Sequence, residues 1–381
     1  SALEENRLGA FSSSLSEKAL RYDLTVPFAR FVVQHQNDLV FPFKRYQIQP
    51  VWRADRPQHG RFQEFFQCDA DVVGSTSLWQ EVELCQLYSS VFAALGIKGA
   101  TIKINNRKIL AGIAEVIGAQ ENLIDFTVAL DKLDKIGFDG VVKELKEKSF
   151  TADAIERITP LISLEGSTHD RLSQLEEFLS DSEIGKKGIE ELRFVVSRSE
   201  TLGIKGTALS VDVTLARGLN YYTGCIFEVS PPEGVKMGSI GGGGRYDDLT
   251  AGFGMKNMSG VGISFGFDRI YLVLEELGLF PASVQAQSQI LFLNFGDSTA
   301  LKSNQLIASL RDNGLRAEFY PDAVKMKKQL SYANQKHIPW VVLLGEEELS
   351  RDEVVVKNMK SGEQFVQPLS GIQQYFISQL A

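Results

Sequence analysis

Between Lys44 and Arg61, five basic residues, Lys44, Arg45, Arg53, Arg56 and Arg61, face one acid, Asp55. An arginine on a rigid strand can hold a phosphate through two parallel hydrogen bonds, and a basic loop beside it can reach a second polyanion. Charge alone, however, favours a solvated basic hairpin. Further along, Leu215-Ala-Arg-Gly-Leu-Asn-Tyr-Tyr-Thr-Gly224 places Arg217 among apolar neighbours, just before Tyr221 and Tyr222. A guanidinium so flanked is costly unless it meets a carboxylate or phosphate. Adjacent tyrosines by themselves more often pack within a strand than touch a ligand. The run Gly241-Gly-Gly-Gly244 lets a backbone come close to a ligand or to another strand, with a flexible loop as the default reading. Gly260, Gly262 and Gly266 before Arg269 lack the spacing and the following acid of a dinucleotide fingerprint, so a Rossmann site is rejected.

Other chemistries are poorly represented. His35, His59, His169 and His337 are scattered without metal-ligand spacing and read as surface or loop residues. There is no GxSxG elbow, Walker loop or HExxH pair. Cys68, Cys85 and Cys225 are odd in number and far apart, which supports reduced thiols over a disulfide framework or zinc site.

The elements that must position these groups follow from periodicity. Lys44–Arg53 alternates with the strand period and Phe62–Val73 is aromatic and β-branched, a hairpin whose connection carries Pro57 and Gly60. Leu78–Leu95 reads as a helix stopped by Gly96. From Lys108 to about Gly203 the pattern turns helical and densely charged, with Ser167-Thr-His-Asp170 fitting a helix cap. Strands return at Ala208–Leu215 and Cys225–Ser230, and Gly260–Arg269 leads into an amphipathic helix ending near Leu277. Past a linker at Pro281–Gln289, strand and helix alternate as in a small α/β domain. The chain has 381 residues, enough for two or three domains, and its net charge of −8 confines any nucleic-acid site to a local basic patch. No apolar run approaches the roughly 18 residues that cross a bilayer, and the cytoplasm is the default compartment.

Taken in order, these segments resemble the class II aminoacyl-tRNA synthetases, and within them the histidyl-tRNA synthetases. Val51-Trp-Arg-Ala-Asp55 with its loop to Phe65 resembles motif 2, and Gly260–Arg269 resembles motif 3. The narrower match comes from Arg21-Tyr-Asp-Leu-Thr25, Gln67-Cys-Asp-Ala-Asp71, Leu215–Tyr222 and Gly244-Arg-Tyr-Asp-Asp-Leu249, which are similar to segments peculiar to the histidine enzymes, and this match overrides the default readings of the tyrosines and glycines while those of the histidines stand. The resemblance implies an α+β fold: an antiparallel-sheet catalytic core (residues 1–106 and 206–281), a helical insertion (107–205) and an α/β anticodon-binding domain (282–381).

The implied reaction joins ATP and histidine into histidyl-adenylate and then moves histidine to the 3′ end of tRNA(His). By the same resemblance Arg53 and Arg217 are the catalytic pair, set on opposite sides of the α-phosphate. Phe65 would stack on adenine, Asp55 meet its edge, and Arg61 and Arg269 complete the ATP site, with Mg²⁺ bridging the phosphates and its protein ligands unassigned. Asp23, Thr25 and Gln67 would surround the α-amino group; Asp71 and Tyr222 would read the imidazole; Arg217, Tyr221 and Tyr246 would complete the histidine site. Arg56 and Gln58 would reach the acceptor end of the tRNA. Lys325-Met-Lys-Lys-Gln-Leu330 sets cations at a helix start, unhelpful to the helix and suited to phosphate contact, and equally ordinary as a plain solvated helix.

Asp55, Asp268 and Asp71 stand where many members carry Glu, and Ser264 where motif 3 can carry glycine. Members form homodimers through motif 1, in a front segment longer than the one preceding Tyr22 here. A shortened front is therefore expected to give weak activity and a weakened or altered dimer. The alternative of another class is a catalytically silent relative, a regulatory subunit of ATP phosphoribosyltransferase or a tRNA sensor. Arg53, Arg217, Arg269 and residues 290–381 weigh against it, whereas a tRNA-binding scaffold without catalysis is allowed only through the short front.

Overall fold

The computed structural model describes residues 15–16, 18–130, 132–162, 164–216, 221–281 and 288–380. The chain divides into two compact units, Ser1–Leu279 and Phe280–Ala381.

In the first unit, helix α1 (Thr25–Gln34) precedes a hairpin of β1 (Phe43–Trp52) and β2 (Glu64–Val73), paired without interruption from Phe43↔Val73 to Trp52↔Glu64. Helix α2 (Trp79–Ala94) ends where Gly96 takes φ +74°, a conformation that favours glycine. Then come β3 (Ala100–Asn106) and six helices: α3 (Arg107–Val116), α4 (Leu123–Leu130), α5 (Leu133–Glu147), α6 (Ala152–Ile162), α7 (Thr168–Phe178) and α8 (Glu183–Leu202). Ser167 and Asp170 form the expected capping box on α7. Helices α3 and α8 approach closely through glycines: a Cβ on Gly112 would lie 2.6 Å from the Gly185 Cα. The helices leave β3 and return to β4 (Thr207–Val211), its parallel neighbour, so the insertion is the crossover that a parallel pair requires.

After β4 come β5 (Cys225–Ser230), β6 (Gly241–Tyr246), β7 (Gly260–Gly266) and α9 (Phe267–Glu276). The sheet order is β1-β2-β7-β6-β5-β3-β4, antiparallel except for β3 with β4.

One expectation needs correction. The strand expected over Ala208–Leu215 stops at Val211, because Asp212 turns the chain: its Oδ1 accepts from the Thr214 backbone N–H and hydroxyl, at 3.0 and 2.6 Å. The tetraglycine is an interior strand, so the loop reading that the resemblance had already set aside does not hold. Its glycines are demanded by packing, since a Cβ on Gly243 would sit 2.2 Å from the Gly262 carbonyl oxygen and one on Gly241 2.8 Å from the Tyr88 ring. Tyr88, fully buried on α2, donates its hydroxyl to the carbonyls of Gly242 (3.0 Å) or Ser264 (3.1 Å), pinning the helix to two strands.

The second unit contains β8 (Ile290–Phe292), α10 (Asp297–Asp312), β9 (Ala317–Phe319), α11 (Met326–Gln335), β10 (Trp340–Leu343), α12 (Glu346–Ser350), β11 (Glu353–Asn358), β12 (Gln364–Pro368) and α13 (Ile372–Leu380). The sheet order is β12-β11-β10-β8-β9. Ile290 and Phe292 enter one core cluster and Leu291 and Leu293 another, so both faces of β8 are covered, as the continuous apolar run implies. Elements beyond β10 go unread in the sequence. The central part of the expected linker, 282–287, lies outside the described residues.

Candidate active site

Two cavities lie against the catalytic sheet and share walls made by Gln67, Tyr222, Gly242, Gly243 and Ser264. The larger, about 280 Å³, is lined by Arg53, Asp55, Arg61, Phe65 and Arg269, the side chains expected around ATP. Arg53 follows directly on β1; its guanidinium lies 4.3 Å from the Tyr22 ring centre and 5.0 Å from that of Phe65, and its Nε donates to the Tyr22 carbonyl at 3.3 Å. The two rings hold the cation flat without neutralising it. Arg269 enters from the first turn of α9, and its Nε and Nη1 donate to the carbonyls of Gly60 (2.6 Å) and Ser239 (2.7 Å). Gly60 closes the loop after β1 at φ +68°, and a Cβ there would strike the Met237 sulfur at 2.4 Å. Asp268, at the start of α9, accepts from the Phe66 backbone N–H at 2.8 Å and so ties that helix to β2.

Arg56 and Gln58 are exposed in the same loop, outside both cavities. The loop is closed by the paired backbones of Gln58 and Arg61. Asp55 and Arg61 are 4.0 Å apart and solvated, a contact that contributes little.

The smaller cavity, about 40 Å³, is lined by Asp23, Thr25, Gln67, Asp71, Tyr221, Tyr222 and Tyr246, the expected histidine set apart from Arg217. Arg217 lies outside the described residues. Asp71 is buried: its Oδ1 accepts from the Tyr246 hydroxyl at 2.8 Å and its Oδ2 lies 2.9 Å from the Arg45 guanidinium. Asp23 accepts at Oδ1 from the Val26 N–H at 3.2 Å, and Tyr221 donates to its Oδ2 at 3.4 Å. Burial pushes the carboxyls of Asp23 and Asp71 up, that of Asp71 to about 6 against the lowering pull of Arg45. Burial likewise raises the phenols of Tyr221, Tyr222 and Tyr246, keeping them as neutral donors.

Sequence reasoning missed two contributors. Asp69 shares a strand face with Gln67 and Asp71, is 2% exposed and lines the smaller cavity. Its carboxyl is pushed up to about 7 by burial and by Asp71. Arg45 was counted only as hairpin charge; its guanidinium is the partner of buried Asp71 and lies 4.3 Å from the Phe28 ring centre. The period-2 alternation of β1 and β2 was the signal that could have found both. The four histidines are exposed, as read from the sequence.

Comparison with known proteins fits this geometry. The family model described as histidyl-tRNA synthetase matches residues 12–270, and one described as anticodon binding domain matches 287–379. The chain is 64% identical over 353 residues to a histidine–tRNA ligase of Christiangramia forsetii, covering 93% of this chain and 77% of that protein. It is 62% identical over 367 residues to one from Flavobacterium johnsoniae, covering 96% of this chain and 77% of that protein. A solved histidyl-tRNA synthetase from Nostoc sp. PCC 7120 superposes with a TM-score of 0.80 at 31% identity, covering 95% of this chain and 84% of that one. With a class II antiparallel core, two adjoining cavities and this degree of likeness, the chain belongs to the histidyl-tRNA synthetases, the ligases that activate histidine with ATP and load it onto tRNA.

Proposed function

We propose that the two cavities divide the first half-reaction between them: ATP in the larger, histidine in the smaller, with the reacting atoms meeting at the shared wall. The observation that carries this division is the sorting of side chains, arginines and Phe65 on one side, carboxylates and tyrosines on the other.

The substrate carboxylate attacks the α-phosphorus and pyrophosphate leaves. Arg53 meets the negative charge that grows on the α-phosphate, and Arg217 acts from the amino acid side. The chemistry needs positioning and charge stabilisation more than a protein acid or base. Phe65 stacks on adenine, Asp55 meets the base edge, and Arg61 and Arg269 hold the outer phosphates. Mg²⁺ offsets phosphate charge when bound. No group of three metal-ligating side chains gathers among the described residues, so the ion would be held mainly by the phosphates and water.

On the other side Asp23, Thr25 and Gln67 surround the α-ammonium, and Asp71, Tyr222, Tyr221 and Tyr246 address the ring. A pocket built to pair two ring nitrogens leaves buried groups unsatisfied when another side chain enters. In the second half-reaction the terminal ribose hydroxyl attacks the adenylate carbonyl, with Arg56 and Gln58 guiding the acceptor end. Lys325, Lys327 and Lys328, exposed around the start of α11, suit contact with tRNA phosphates.

We assign residues 1–106 and 206–281 to catalysis, 107–205 to the insertion and 282–381 to anticodon binding, and place the enzyme in the cytoplasm as a homodimer. No helix among the described residues is long and apolar enough to cross a membrane. The regulatory-subunit alternative is not favoured, because the high-identity relatives are ligases. Histidine-dependent exchange of pyrophosphate into ATP tests the division: Arg53→Ala should lower it by about two to three orders of magnitude. Exchange within tenfold of the unsubstituted enzyme would sink the role given to Arg53.

A further inference from the structure

Of the segment Gly244–Leu249, Tyr246 reaches the smaller cavity, while Arg245 and Asp247 line neither cavity. Arg245 is buried with every N–H of its guanidinium engaged. Its Nε and Nη2 meet the two carboxylate oxygens of Glu81 on α2 at 2.5 and 2.6 Å, and Nη1 donates to the Ser259 hydroxyl at 2.6 Å. The remaining protons go to the carbonyls of Ser75 and Ser77, both at 3.2 Å. A guanidinium so saturated, its charge offset by fully buried Glu81, has no donor left for a substrate. It is a fixed anchor at the end of β6.

Asp247 connects that anchor to the two tyrosines. Its Oδ1 accepts from the Ser259 hydroxyl and its Oδ2 from the Thr223 hydroxyl, both at 2.6 Å. The same Thr223 oxygen accepts from the Asp247 backbone N–H at 3.1 Å, and the Thr223 N–H donates to the Arg245 carbonyl at 2.8 Å. Thr223 directly follows Tyr221 and Tyr222, whereas β5 pairs with β3 only from Cys225 and with β6 only from Ile226. Strand pairing therefore stops short of the tyrosines, and the closed ring of bonds between Thr223 and Asp247 fastens the segment where the ladder does not.

We propose that Asp247 is a positioning residue for histidine binding: it touches no ligand and, by holding Thr223, sets Tyr221 and Tyr222 against the smaller cavity. This rests on the smaller cavity being the histidine pocket. Both rings are placed by close contacts that a shift at Thr223 would disturb together. A Cβ on Gly244 would stand 2.8 Å from the Tyr222 ring, and Tyr221 meets the Tyr246 ring edge-on with centres 6.1 Å apart. Tyr222 also lines the larger cavity, but Tyr221 and Tyr246 line the smaller one alone. Loosening the segment therefore weakens histidine more than ATP.

The test is steady-state pyrophosphate exchange, together with amide hydrogen exchange of the ligand-free protein. Asp247→Ala, and Thr223→Val, which keeps the side-chain shape without the hydroxyl, should each raise KM for histidine about tenfold and leave kcat and KM for ATP within about threefold. Thr223→Ser restores the hydroxyl and should bring KM for histidine back to within about twofold of the starting enzyme. The double variant of Asp247→Ala and Thr223→Val should be little worse than either alone, because both remove one contact. The Thr223 amide should exchange faster in Asp247→Ala. Fully additive losses overturn the proposal, as do an unchanged Thr223 amide, a Thr223→Ser that behaves like Thr223→Val, or a fall in kcat with KM for histidine unmoved. Thr223→Val leaves Asp247, Ser259 and Arg245 joined and decides the matter if Asp247→Ala does not fold. Faster exchange at Thr223 with KM raised for ATP alone would instead remove the assignment of the smaller cavity to histidine.

Discussion

Gly262 lies directly against Asp71: a Cβ built on the glycine would stand 2.0 Å from the carboxylate Oδ1. The missing side chain on β7 is the space in which the β2 carboxylate reaches the Tyr246 hydroxyl. Two further glycines act alike, since a Cβ on Gly260 would come within 2.3 Å of the Tyr246 ring and one on Gly244 within 2.8 Å of Tyr222. These glycines of β6 and β7 thus shape the smaller cavity by absence.

Gly262→Ala should consequently displace Asp71 and raise KM for histidine at least tenfold while changing KM for ATP little. Overpacking of this kind also costs about 1–3 kcal/mol of stability. Steady-state pyrophosphate exchange checks the split, and equal changes in both KM values would refute the selective role of this contact.

Arg45→Met removes the buried partner of Asp71 and should destabilise the first unit by about 3–5 kcal/mol, the cost of stranding a buried charge. Chemical denaturation measures it. A loss below 1 kcal/mol would show that the ion pair is solvated.

Arg56→Ala combined with Gln58→Ala should leave pyrophosphate exchange within about threefold of the starting enzyme and slow charging of tRNA by roughly an order of magnitude or more, because the loop tip is exposed outside both cavities. Parallel losses in the two assays would place the loop in adenylate formation instead.

Asp69 and Asp71 also make stability depend on pH. Both carboxyls are raised in the folded chain, to about 7 and about 6, by burial first. The folded state binds more protons than the unfolded one between the ordinary carboxylate range and these values. Their contribution is complete below about pH 4 and is lost as pH climbs through 6 and 7. Melting temperature measured without ligand should fall from pH 5.5 to 7.5, and Asp69→Asn should flatten that slope. An unchanged slope in the variant would locate the effect elsewhere.

Much of this architecture is legible in the sequence because it rests on period and punctuation. Alternation marks β1 and β2, Gly96 stops α2, and Ser167 with Asp170 opens α7. Misreadings fall where local signals conflict with tertiary packing. Four glycines look like a loop until Tyr88 and Gly262 are known to press against them. Asp212 ends β4 through a side-chain turn that alternation cannot express. The site residues that match the family segments were nameable in advance. Asp69 and Arg45 became meaningful only when pairing set β1 beside β2 and showed one carboxylate ion-paired and the other not.

The pairing of Gln67 with Gly266 and of Val73 with Gly260 has a consequence for biosynthesis. The β1–β2 hairpin emerges from the ribosome early, but the strand completing its inner edge comes only after the whole helical crossover has been made. At about 5–20 residues per second, the hairpin waits on the order of ten seconds or more with that edge unfilled. Gly262, which admits Asp71, lies on the late strand. The smaller cavity therefore comes into being near the end of translation of the first unit, and a ligand seated in it could stabilise only nascent chains that have passed β7.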